Sequence, residues 1–137
     1  MTAEVKEGLR GVVVANSSIC VIDGSVGSLR YRGIDIGDFA EYSSYEETAY
    51  FLWFAELPRQ DQLEKLRERM RAERELDWSV KQVIEALPKT LQPMEALRTV
   101  TSILPCCDPE SNDFAHVANV NKAIRLTAKF PTIVAYY

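Results

Sequence analysis

A single histidine, His116, and three cysteines, Cys20, Cys106 and Cys107, are what this chain of 137 residues offers to nucleophilic or soft-metal chemistry. General acid–base catalysis ordinarily draws on a histidine or on carboxylates paired in a cleft, and nucleophilic catalysis on a hydroxyl or thiol set beside a base. His116 lies in Asn112-Asp113-Phe114-Ala115-His116-Val117, near the start of the last helical segment, and reads as a packed or partly exposed helix residue rather than a catalyst. Three cysteines without a CxxC spacing or a second histidine cannot close a zinc site. The adjacent Cys106-Cys107 pair cannot form a relaxed disulfide, because that geometry needs side chains converging from separate backbone points. The cysteines are expected to be reduced: small buried hydrophobes, the pair in a helix-exit turn. Neither a GxxxxGK[ST] nor a GxGxxG run is present to cradle phosphates, and Gly24 and Gly27 belong to a turn. No catalytic, cofactor-binding or metal-binding residue is assigned.

Charge points the same way. Sixteen Lys and Arg against twenty Asp and Glu give a net charge of −4, which provides no basic excess for a nucleic acid or an anionic membrane. The stretch Lys65–Glu75 looks basic until its acids are counted. At helical spacing Arg69 faces Glu73, Arg71 faces Glu75 and Glu64 reaches Arg67, so a mixed, solvated face is expected. Arg30 and Arg32 sit two apart on one expected strand face beside Gly33. An anion site is one reading, and salt bridges to helix acids are the favoured one.

With 47% hydrophobic and 26% charged residues, the composition matches an ordinary globular chain of one domain. The N-terminus lacks a signal pattern and no apolar run reaches the roughly 18 residues of a membrane span, so a cytoplasmic protein is expected. One unit, 1–137, is anticipated, with a β-hairpin head over 11–33 and a helical part over 34–137. The β-branched runs Gly11–Val14 and Ile19–Ile22, the turn residues Asp23–Gly27 and the alternating Ser28–Arg32 predict that hairpin. Beyond it the apolar period lengthens to about 3.6 residues. Ser44 and Glu47 form a capping box for a helix over Tyr45–Ala55. Leu63, Leu66 and Met70 mark a second helix ending near Glu75, and Asp77 caps a third that stops at Pro88. Pro93 opens a fourth, through Leu104, and a fifth runs from about Ala115 to Tyr137 with Pro131 bending it. Its last turn, Thr132–Tyr137, carries no capping glycine and no basic residue. Either that end docks against something else, or the chain is cut from a longer one.

Five ordered blocks then carry a resemblance. Gly8–Val13 with Ile22-Asp23-Gly24 and Gly27–Ile36 form the first, and Ser44–Trp53 with Glu56-Leu57-Pro58 the second. Pro93–Thr99, Asp108-Pro109 and Ala128–Tyr136 complete the set. Together they resemble the opening of a citrate synthase or the closely similar 2-methylcitrate synthase. The resemblance implies a mainly α fold, a short hairpin followed by about five helices, forming part of that family's large domain. It also implies a transferase that condenses acetyl-CoA with oxaloacetate to citrate and CoA. The two histidines and aspartate that do this in the family match no residue here, so acetyl-CoA is expected as substrate of the intact enzyme and no cofactor is expected on this chain.

Because the family is dimeric, the resemblance further implies self-association through helices 93–104 and 115–137, which agrees with their apolar residues on more than one face. The leading expectation is therefore an N-terminal fragment or split subunit, inactive alone, that supplies scaffold and dimer surface to the missing C-terminal portion. A non-catalytic helical dimerisation module derived from the family is the alternative.

Overall fold

The computed structural model describes Gly8, Val12, Val13 and residues 15–137. Gly11 and Val14 of the expected first strand run lie outside the described residues. The chain forms two compact units, residues 1–56 and 57–137.

In the first unit β1 (Cys20–Asp23), β2 (Ser28–Tyr31) and β3 (Ile34–Asp35) make an antiparallel sheet in that order. The hairpin joins the later of the two expected runs to Ser28–Tyr31, with Cys20 opposite Tyr31 and Asp23 opposite Ser28, whereas Val12 and Val13 of the earlier run are in no strand. Its turn is built by Asp23, whose Oδ1 accepts from the Ser25 N–H at 2.9 Å and from the Ser25 hydroxyl at 2.6 Å. The third strand was not anticipated. Arg32 and Gly33, at φ 46° and 92°, form a two-residue turn with both central residues in the left-handed region, the geometry that joins twisted antiparallel strands. Arg32 therefore leaves the strand and does not share a face with Arg30.

Helix α1 (Ile36–Tyr42) is a further addition to the sequence reading, started by Asp35, whose carboxylate accepts from the Gly37 N–H. At seven residues it is too short for a 3.6-residue period to stand out, and only Phe39 is buried. Helix α2 (Tyr45–Phe54) begins with the expected capping box: Glu47 accepts from the Ser44 N–H at 2.7 Å, and Ser44 accepts from the Glu47 N–H at 3.3 Å. The sheet and both helices meet through aromatic rings, Tyr31 against Phe39 at 6.2 Å and Phe39 against Phe51 at 5.3 Å.

The second unit is helical: α3 (Gln60–Ala72), α4 (Trp78–Ala86), α5 (Pro93–Ile103), a 3-10 helix (Leu104–Cys107) and α6 (His116–Tyr136). Their starts follow the sequence signals, with Asp77 accepting from the Ser79 N–H and Pro93 at the first position of α5. The segment after α5 tightens into the 3-10 helix around Pro105, which cannot continue an α-helical ladder. Leu76, Val80, Ile84, Val100 and Ile133 are each at most 2% exposed and form the centre, where α4, α5 and the end of α6 converge. Leu63, Leu66 and Met70 bury one stripe of α3, as their spacing requires.

Pro131 lies inside α6 without ending it. The closing turn packs within its own unit: Tyr137 sits against the central cluster, and its hydroxyl donates to the Leu91 carbonyl at 2.6 Å. No helix among the described residues is long and apolar enough to cross a membrane.

Candidate functional site

A cleft of about 450 Å³ opens in the second unit, floored by Val80, Leu104, Pro105 and Leu126. Polar groups from α6 reach its wall at four-residue spacing, which places Arg125 and Lys129 on one side of the helix. The segment between the 3-10 helix and α6 contributes further wall through Asp108 and Ser111.

Arg125 ties these walls together. Its Nε donates to Asp108 Oδ2 at 2.9 Å and its Nη2 to Asp108 Oδ1 at 2.8 Å, a bidentate fork, while Nη2 also reaches Glu110 Oε2 at 2.7 Å. The Arg125 and Asp108 side chains are each only 15% exposed. Asn121, one turn earlier, donates to Glu110 Oε1 at 3.0 Å and accepts from the Arg69 guanidinium at 2.9 Å. The connection from Asp108 to Glu110 is thus pinned to α6 and, through Asn121, to α3. Burial pushes the Asp108 carboxyl up, but hydrogen bonds from Arg125 and from the Glu110 N–H outweigh it and hold the group below its ordinary range. Glu110 is lowered by hydrogen bonds from Arg125 and then Asn121.

Lys129 has a different duty. Its Nζ donates to the carbonyls of Glu73 at 2.7 Å and Glu75 at 2.9 Å, and sits 3.9 Å from the Glu73 carboxylate. It therefore satisfies carbonyls just past the end of α3, where a cation also suits the negative end of the helix dipole.

Beside the cleft, Asp77 Oδ1 accepts from the Ser79 hydroxyl at 2.6 Å, and Ser79 Oγ is 3.2 Å from Cys107 Sγ. The Ser79 bonds, from the side chain first, lower the Asp77 carboxyl from its usual value.

Cys106 and Cys107 are exposed and Cys20 is half-buried, so none fills a core: the 3-10 helix carries the pair along the surface, with Cys107 at the cleft. Arg69 turns to Asn121 and Glu73 to Lys129, so the expected Arg69–Glu73 pair is absent. Arg71 forms no ion pair with Glu75, whose carboxylate instead lies 4.0 Å from Lys81, whereas Glu64 and Arg67 do meet, at 3.2 Å. Arg32 reaches no helix acid. It donates to the Leu52 carbonyl near the end of α2, since its left-handed backbone carries the guanidinium away from the strand.

His116 is exposed at the first position of α6 and does not line the cleft. Among the described residues no group of three His, Cys, Asp or Glu could hold a metal ion. The cleft's strongest charges are spent on one another and on backbone carbonyls, an arrangement that holds helices and a connection in place. Sequence reading missed Arg125, Asn121 and Lys129 as partners. Their recurrence every fourth residue along one side of the helix is the signal that could have found them.

A family model described as citrate synthase, C-terminal domain, matches residues 8–137. The chain belongs to the citrate synthase family. It is 43% identical over 142 residues to a citrate synthase of Haloferax volcanii, a match covering 100% of this chain and 37% of that protein. It is 40% identical over 132 residues to a 2-methylcitrate synthase of Mycobacterium tuberculosis, covering 96% of this chain and 33% of the other. The crystal structure of citrate synthase from Thermotoga maritima superposes with a TM-score of 0.82 at 40% identity, covering 98% of this chain and 34% of that one. The mainly α fold with its small N-terminal sheet is thus that of the family, and the chain spans about a third of the length of the relatives it matches.

Proposed function

We propose that this chain supplies scaffold and a dimer-forming surface to a citrate synthase-type enzyme, which condenses acetyl-CoA with oxaloacetate and releases citrate and CoA, and that it is inactive alone. The observation that carries the reading is the family match over residues 8–137 by a chain about a third as long as its relatives. The internal chemistry is consistent with it: Arg125, Lys129 and Asn121 are engaged in fastening elements, and the lone histidine stands outside the cleft. In the intact enzyme the carbon–carbon bond would form after a base removes a proton from the thioester methyl group and donors stabilise the developing enolate.

Self-association is assigned to α5 and α6. Met94 is 73% exposed, Val117 70% and Val134 61%, apolar surface suited to burial against a second copy. The decisive experiment follows CoA release from acetyl-CoA and oxaloacetate with the isolated chain, beside sedimentation at several concentrations. No turnover and a concentration-dependent dimer are expected. Saturable turnover would overturn the scaffold reading, and a folded monomer at every concentration would overturn the dimer surface.

A further inference from the structure

We draw no further inference here: the strongest candidate, the cleft of about 450 Å³ between the 3-10 helix and α6, keeps Arg125, Asp108 and Lys129 engaged by the chain's own groups, and nothing in the structure shows what covers it.

Discussion

The Arg32 guanidinium closes on the Leu52 carbonyl, with Nη2 at 2.7 Å and Nε at 3.2 Å, so a residue in a hairpin turn serves the C-terminal end of a helix twenty positions later. Two effects meet at this residue. The left-handed backbone, at φ 46°, is unfavourable for any side chain with a Cβ, while the two charge-assisted bonds are favourable. Arg32→Ala removes the second and keeps the first, and is expected to lower stability by about 2 kcal/mol. Arg32→Gly removes both and should lose about 1 kcal/mol less. Urea midpoints of the two variants check this, and equal losses would show that the backbone conformation carries no strain.

At the cleft, Arg125→Met is expected to cost about 2 kcal/mol, since it leaves the sheltered Asp108 carboxylate without its fork. Arg125→Lys keeps the charge but not the planar bidentate geometry, and should recover only part of the loss. A double variant, Asp108→Asn with Arg125→Met, should be less destabilised than the sum of the single changes. Additive losses in denaturant titrations would mean that the pair is not coupled.

Acid sensitivity follows from the same cluster. Asp108 and Glu110 are both held below their ordinary values of 3.8 and 4.5, so the folded state binds protons less readily than the unfolded one. Their contribution is fully present above the ordinary carboxylate values and declines as pH falls through the lower, folded ones. Melting temperature should therefore drop below about pH 4, and Arg125→Met should flatten that drop. An unchanged acid slope in the variant would show that Arg125 is not the cause.

Tyr136 and Tyr137 are neighbours with unequal stakes. Tyr137 places its ring on the central cluster and its hydroxyl on the Leu91 carbonyl, so Tyr137→Phe is expected to cost about 1 kcal/mol. The Tyr136 hydroxyl meets Glu85 at the surface, and Tyr136→Phe should leave the unfolding midpoint unchanged. Equal effects of the two changes would contradict the inward placement of Tyr137.

The starts of α2, α4 and α5 were legible because a cap is a local event. Ser44 with Glu47, Asp77 with Ser79, and Pro93 each satisfy or remove backbone donors within three residues. The buried stripe Leu63, Leu66 and Met70 was legible because helical periodicity needs no partner to be read. The two-residue turn at Arg32-Gly33 was not, since arginine gives no turn signal and its positive φ is set by strand pairing on either side. Cys106 and Cys107 were expected inside on residue type, yet burial depends on where the surrounding helices run.

The family, the hairpin-then-helices plan and the starts of most of the longer helices were determined by the sequence alone, because apolar spacing, caps and ordered motif blocks act over a few residues or survive as strings, whereas the two-residue β3 and the seven-residue α1 left no such signal. Tertiary structure decided the polar partnerships. Arg69 could pair with Glu73 on its own helix or with Asn121 on α6, and Lys129 could face solvent or close the end of α3. Local spacing leaves such choices nearly equal in energy, and packing α6 against α3 resolves them by bringing the distant donor or acceptor within hydrogen-bond reach, where water is partly excluded.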